Sequence, residues 1–104
     1  MSSELILKEE YSPQGARVEI SGEVDIYTAQ KLKEKLYSVV HNSNNDIFID
    51  CTGLNYIDST GLGIFLGALK KTRLGGRNIH IENLRENIKK LFVITGLDKL
   101  FIIS

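Results

Sequence analysis

The chain is poor in the residue types that mark several protein classes. Its 104 residues include one cysteine, Cys51, and one proline, Pro13, and no low-complexity tract. A single cysteine excludes an internal disulfide and a cysteine-based zinc cluster, and the composition excludes a disordered or collagen-like chain. Apolar runs such as Ile47–Ile49 and Phe101–Ile103 are far shorter than the about 20 residues that a membrane-spanning helix needs.

No charge of one sign dominates the chain. Thirteen Lys and Arg balance thirteen Asp and Glu, and the N-terminus lacks the basic-then-apolar order of a secretion signal. We therefore expect a single cytoplasmic domain over residues 1–104, away from the membrane. The segment between Lys35 and Lys70 contains no Lys or Arg. Because phosphate backbones are bound through cations, this segment is not predicted to bind nucleic acid.

The first half of the chain predicts a hairpin, a helix and a strand. Strand-like segments at 5–7 and 18–20 flank the turn sequence Ser12–Gly15. Apolar residues then recur at helical spacing from Ala29 to Val40, and Thr28 is placed to cap that helix. After a polar loop, the apolar run Ile47–Ile49 is typical of a strand buried on both faces.

The second half alternates helices and strands. A helix is predicted from about Thr60 to Leu74, a strand at 78–82 and a third helix that ends at Gly96. The buried stripe of the second helix is predicted to be Leu62, Phe65, Leu66 and Leu69. The apolar tail at 100–103 is expected to return to the sheet or to pack beneath it. The order β-β-α-β-α-β-α predicts a layered α/β domain, with a mixed, mostly parallel sheet on which helices pack.

The most informative segment begins the second helix and reads Asp58-Ser59-Thr60-Gly61-Leu62-Gly63. Ser59 or Thr60 is expected to be the N-cap, and Asp58 adds negative charge at the positive end of the helix dipole. A helix N-terminus also favours a bound anion through its free N–H groups. Ser59 is therefore a sensible acceptor for a phosphoryl group donated by another protein.

Three glycines within this helix suggest a close approach of its backbone, either to the sheet beneath it or to a partner above it. Gly61, Gly63 and Gly67 each cost roughly 1 kcal/mol relative to alanine in a helix interior. Gly63 and Gly67 lie four residues apart and share a face. Since the apolar stripe already accounts for the buried side, we expect these two glycines to present a flat surface to a partner.

The residues that an enzyme would need are not arranged for catalysis. No sequence motif connects His41 or His80 with Ser59, and no Gly-x-Ser-x-Gly elbow is present. The glycines form neither a Walker A loop nor a dinucleotide fingerprint, and the acidic residues lack metal-ligand spacing. Cys51 is expected to be a buried thiol at a strand end. We therefore expect no enzymatic activity and no bound cofactor or metal.

Three segments give the chain a resemblance to a known family. The segment 58–63 resembles the phosphorylation motif of bacterial anti-sigma factor antagonists, which are STAS-domain regulators of general stress and sporulation sigma factors. Gly22-Glu23-Val24-Asp25 is similar to a second family signature, and the segment 91–97 resembles the end of the family's C-terminal helix. The resemblance covers nearly the whole chain.

The resemblance implies a partner switch and a set of site residues. The unphosphorylated antagonist binds an anti-sigma factor that is also a serine kinase, and this releases the sigma factor. The kinase then uses its own Mg-ATP to phosphorylate Ser59, which ends the complex, and a PP2C-type phosphatase restores the serine. The expected partner-binding residues are Asp25, Asp58, Thr60, Gly61, Gly63 and Gly67, on a chain that is a monomer when free.

Two alternatives from other functional classes stay open. Ser59 would be the nucleophile of a small hydrolase or phosphotransferase if the chain turned over ester substrates or ATP without a second protein. A STAS domain that scaffolds a multiprotein stress-sensing complex would instead remain assembled after Ser59 is modified.

Overall fold

The computed structural model describes residues 4–104. The expectations about a secretion signal and about a domain over residues 1–104 fall partly on residues 1–3, which lie outside the described residues. Within residues 4–104, five strands, three α-helices and one 310 turn follow one another. In order they are β1 (Leu5–Ser12), β2 (Gly15–Val24), α1 (Ala29–Asn42), β3 (Asp46–Ile57), α2 (Ser59–Leu74), β4 (Ile79–Glu82), α3 (Glu86–Ile94), the 310 turn (Leu97–Lys99) and β5 (Ile102–Ile103).

The strands form one mixed sheet in the order β1-β2-β3-β4-β5. The hairpin prediction is confirmed, because β1 and β2 pair antiparallel across the turn that ends at Gly15. Gly15 has φ +147°, and a Cβ there would lie 2.0 Å from the carbonyl oxygen of Asp46, so only glycine fits. The other strand pairs are parallel, and β5 confirms that the C-terminal tail returns to the sheet.

The helices cover one face of the sheet, and the opposite face is open. Along β3, the buried residues Ile47, Ile49 and Cys51 alternate with half-buried neighbours. The prediction that Ile47–Ile49 is buried on both faces is therefore wrong: Phe48 points to the open face, where its ring stacks on His80 with 4.3 Å between centroids. The predicted burial of the Cys51 thiol is confirmed, although the residue lies mid-strand, and this burial raises the pKa of the thiol to about 12.

Charged side chains form a network on the open face. The Arg17 guanidinium lies 2.6 Å from a Glu82 carboxylate oxygen and 3.4 Å from one of Asp50. Burial alone would raise the pKa of Asp50, but hydrogen bonds from Thr52 and Asn83, together with the Arg17 charge, lower it to about 2. The ionised carboxylate of Asp50 is therefore stabilised by the fold.

The helices bury one face each against the sheet. In α1 the buried residues are those predicted from the periodicity, from Ala29 to Val40, and the helix extends to Asn42. In α2 the buried face is wider than predicted, since it includes Ile64 and Ala68, whereas Leu66 is only half-buried. Three aromatic rings close the core between α2, α3 and the C-terminal tail, with centroids 5.9–6.4 Å apart: Phe65, Phe92 and Phe101.

Candidate functional site

The carboxyl ends of β2 and β3 lie side by side and bring together the two loops that the sequence singled out. Val24 pairs with Ile57 in the parallel ladder, and the backbone N–H of Asp58 donates to the carbonyl oxygen of Val24 at 3.3 Å. Because β4 pairs only with residues 47–50 of β3, this end extends beyond the rest of the parallel sheet. We call residues 21–28 and 53–61 the tip.

Asp58, and not Ser59 or Thr60, is the N-cap of α2. Its Oδ1 accepts hydrogen bonds from the backbone N–H groups of Thr60 at 3.0 Å and Gly61 at 3.2 Å, while its own backbone is extended. The prediction of a hydroxyl cap is therefore wrong. The carboxylate satisfies two amides of the first turn, and its negative charge lies at the positive end of the helix dipole.

Ser59 is the first residue of α2, and its side chain is exposed. No other residue within 4–104 forms a hydrogen bond with its hydroxyl. A second protein therefore has access to this oxygen without breaking any bond of the fold. Since Asp58 already occupies the amides of Thr60 and Gly61, a phosphate on Ser59 would have to displace that carboxylate to bind them, contrary to our expectation of free N–H groups.

Asp25 and Thr28 build the second loop of the tip. Asp25 Oδ1 accepts hydrogen bonds from the backbone N–H groups of Tyr27 at 2.9 Å and Thr28 at 3.1 Å. The buried Thr28 hydroxyl donates to the carbonyl oxygen of Glu23 at 2.8 Å and accepts from the Asp25 N–H at 3.0 Å. Thr28 is at the N-cap position of α1, but its side chain bonds to the turn and not to the helix, which corrects the predicted cap.

The three glycines of α2 have different surroundings. A Cβ on Gly61 would lie 2.6 Å from side-chain atoms of both Val24 and Ile57, so Gly61 allows the first turn to pack on the strands. A Cβ on Gly67 would lie 2.3 Å from the Tyr37 hydroxyl oxygen, and no described atom lies within 4 Å of a Cβ on Gly63. The expected flat surface at Gly63 and Gly67 is therefore wrong for Gly67, which α1 covers.

The tip also carries exposed apolar side chains that the sequence reading did not single out. Ile26 is 68% exposed, Tyr27 82% and Tyr56 47%. In the sequence, Ile26 and Tyr27 fall between a strand and a helix, in neither hydrophobic period. Their position in a short turn could have identified them as exposed from the sequence, because an apolar pair there belongs to neither buried face.

Neither histidine of the described residues lies close to Ser59. His80 Nε2 lies 2.8 Å from a carboxylate oxygen of Asp46, and His80 pairs with Phe48 in the sheet. Phe48 precedes Ile57 by nine residues of β3, which corresponds to about 30 Å. His41 lies twelve residues, about 18 Å, from the tip end of α1. In the part of the chain that the structure describes, no group of three or more His, Cys, Asp or Glu is placed to hold a metal ion, and no helix is long and apolar enough to cross a membrane.

Comparisons with known proteins place this geometry in a family. Residues 10–104 match the STAS domain family. The chain is 41% identical over 88 residues to an anti-sigma-B factor antagonist of Bacillus subtilis, covering 85% of this chain and 80% of the relative. It is 39% identical over 83 residues to an anti-sigma-B factor antagonist of Staphylococcus epidermidis, covering 80% of this chain and 77% of the relative.

A solved structure agrees with this similarity. An anti-sigma factor antagonist from Mycobacterium paratuberculosis superposes with a TM-score of 0.84 at 25% identity, over 97% of this chain and 86% of that one. The sequence relatives and the structural neighbour thus agree on one fold and one class of regulator, as the motifs at 22–25 and 58–63 implied. The chain therefore belongs to the STAS domain family, and its relatives within that family are anti-sigma factor antagonists.

Proposed function

We propose that the chain is an anti-sigma factor antagonist whose binding is controlled at Ser59. The unphosphorylated chain binds an anti-sigma factor that is also a serine kinase, so the sigma factor is freed. The kinase transfers the γ-phosphoryl group of its Mg-ATP to Ser59: the new bond joins Oγ to phosphorus, ADP leaves, and the hydroxyl proton passes to the kinase. A PP2C-type phosphatase hydrolyses the ester, and the exchange takes place in the cytoplasm.

The observation that carries this proposal is the exposed Ser59 hydroxyl, which is free of hydrogen bonds within 4–104. Kinases need the acceptor oxygen in line with the γ-phosphate, with the reacting atoms about 3–3.5 Å apart. A serine hydroxyl that capped the helix would have to break its hydrogen bond with a backbone N–H before it could react. In this chain the Asp58 carboxylate is the cap, so the Ser59 hydroxyl has no such bond to break. The curated relatives, which bear the name anti-sigma-B factor antagonist, support the class of partner.

Charge explains how phosphorylation would end the complex. Phosphoserine carries roughly −1.5 to −2 charges at pH 7, and the tip already contains the carboxylates of Glu23, Asp25 and Asp58. Burying an ion without a partner costs several kcal/mol, whereas a micromolar to nanomolar complex has only about 8–12 kcal/mol in total. An unpaired phosphate in the interface therefore removes most of the affinity.

The test combines the purified chain with the purified anti-sigma factor of the same bacterium and Mg-ATP. We expect one phosphate on Ser59 by mass spectrometry and release of the phosphorylated chain. Ser59→Ala should stay unmodified and bound, and Ser38→Ala, a control at an exposed serine of α1 outside the tip, should be phosphorylated normally on Ser59. Full phosphorylation of Ser59→Ala would show that the acceptor is wrong.

The same reagents separate the alternatives. Turnover of ester substrates or ATP by the chain alone would identify an enzyme with Ser59 as nucleophile. A phosphorylated chain that stays in its complex would identify a scaffold. Neither result is expected, because the Asp58 carboxylate bonds to the amides of Thr60 and Gly61, no described group forms a hydrogen bond with the Ser59 hydroxyl, and the added charge lies in the contact surface.

A further inference from the structure

Three exposed apolar side chains lie within the tip that carries Ser59. Ile26, Tyr27 and Tyr56, which we call the apolar patch, are 68%, 82% and 47% exposed. Tyr27 also forms one wall of a surface groove of about 430 Å³ between the start of β1 and the start of α1. A protruding aromatic ring beside a groove is a shape that protein partners use, and tyrosine is enriched among residues that dominate binding energy.

The turn that carries Ile26 and Tyr27 is held in place by its own hydrogen bonds. Asp25 Oδ1 binds the backbone N–H of Tyr27, and the buried Thr28 ties the turn to Glu23 and Asp25. The backbone is therefore already ordered before a partner arrives. Docking then costs the conformational entropy of two side chains and not that of a loop, which favours affinity.

The charged residues around the apolar patch indicate the chemistry of its partner. The tip contains three acidic residues, Glu23, Asp25 and Asp58, and no Lys or Arg. Among the described residues, the one cation that lines the groove beside Tyr27, Lys31, donates a hydrogen bond to the Leu5 carbonyl oxygen. A complementary surface must therefore offer an apolar hollow with basic side chains at its rim. Nucleic acid does not fit, since its phosphates would face these carboxylates, and neither does a second copy, since a symmetric contact through the tip would bring like charges together.

We propose that the apolar patch is the main binding contact for the serine-kinase anti-sigma factor, an inference that rests on the proposed function. Val24 and Ile57 pair at the base of the two loops, so the patch and Ser59 share one end of the molecule. A kinase that reaches the Ser59 oxygen must come to this end. The apolar patch contributes most of the binding free energy, and phosphorylation of Ser59 prevents the complex from forming.

The test measures the affinity of alanine variants for the purified anti-sigma factor with ADP in place of ATP, so that no phosphoryl transfer occurs. Ile26→Ala and Tyr27→Ala should each raise Kd at least tenfold. The matched controls are Leu74→Ala and Ile94→Ala, because these apolar side chains are 89% and 79% exposed but lie at the far ends of α2 and α3. Both controls should bind with the same Kd as the chain without substitutions.

A second readout uses Mg-ATP and follows the phosphorylation of Ser59. The patch variants should raise KM and leave kcat near its original value, because the Ser59 hydroxyl is untouched once the complex has formed. Unchanged Kd and KM in Tyr27→Ala and Ile26→Ala, or equal losses in the controls, would overturn the patch and leave the proposed function standing. Absence of binding by the unmodified chain would overturn both.

Discussion

Replacing Asp58 and Ser59 one at a time separates the capping of α2 from the proposed phosphorylation. The Asp58 carboxylate accepts two amide hydrogen bonds, and the Ser59 hydroxyl forms none with the described residues. Alanine at an N-cap costs about 1 kcal/mol, and loss of a carboxylate at the helix N-terminus costs about 0.3–1 kcal/mol more. Asp58→Ala should therefore lower the free energy of unfolding by about 1.5 kcal/mol.

Two further variants divide this loss into its parts. Asp58→Asn keeps an acceptor oxygen and removes only the charge, so its cost should be about 0.5 kcal/mol. Ser59→Ala loses neither bond nor charge and should stay within about 0.5 kcal/mol of the original chain. The order of stability is then Ser59→Ala, Asp58→Asn and Asp58→Ala, from the most to the least stable.

Urea unfolding at pH 7 and low salt measures these differences as shifts of the midpoint at a constant m value. For a domain of this size, about 1 kcal/mol corresponds to about 4 °C in Tm, so heating gives an independent check. If Ser59→Ala lost 1 kcal/mol or more while Asp58→Ala lost nothing, the hydroxyl would be the cap. The Ser59 hydroxyl would then be engaged in the fold and would not be a free acceptor.

Two other predictions concern stability away from the cap. Gly63→Ala should raise the free energy of unfolding by about 0.5–1 kcal/mol, since its site is open and alanine favours a helix. Gly61→Ala should lower it by about 1–3 kcal/mol through overpacking, and equal urea midpoints would contradict both. Because the folded pKa of Asp50 is lowered from 3.8 to about 2, about 2 kcal/mol of stability is present above pH 4 and is lost as the pH falls towards 2. Acid unfolding of Asp50→Asn should lack that loss, and identical pH profiles would show that the Asp50 interactions contribute nothing.

Periodicity predicted the elements well because most of them have one buried side. The spacing from Ala29 to Val40 identified the buried face of α1, and the turn at Ser12–Gly15 identified the hairpin. Phe48 was placed wrongly for a physical reason. A run of three apolar residues is typical of a strand covered on both faces, but here the ring stacks on His80 over an open face, an arrangement that only the pairing of β3 with β4 creates.

The candidate site could be predicted in position but not in its internal bonding. Asp58, Ser59 and Thr60 are all good N-cap residues in a row, and propensity cannot choose among them. In the structure, β3 ends at Ile57, which pairs with Val24. Asp58 is therefore the residue between strand and helix, and its carboxylate is the cap. In the same way, only the packing of two helices shows that Tyr37 covers Gly67.

The bonds that hold the tip explain why phosphorylation would change binding without changing the fold. They run from the Asp58 amide to Val24 and from the Asp58 carboxylate to Thr60 and Gly61, and none uses the Ser59 side chain. Two unit charges 4 Å apart interact by about 1 kcal/mol in water and about 4 kcal/mol at the lower effective dielectric near a protein surface. In the free chain, water and salt screen the repulsion between a phosphate and the Asp58 carboxylate. A partner docked on the tip would exclude that water and strengthen the repulsion, so a phosphate on Ser59 would destabilise the complex more than the free chain.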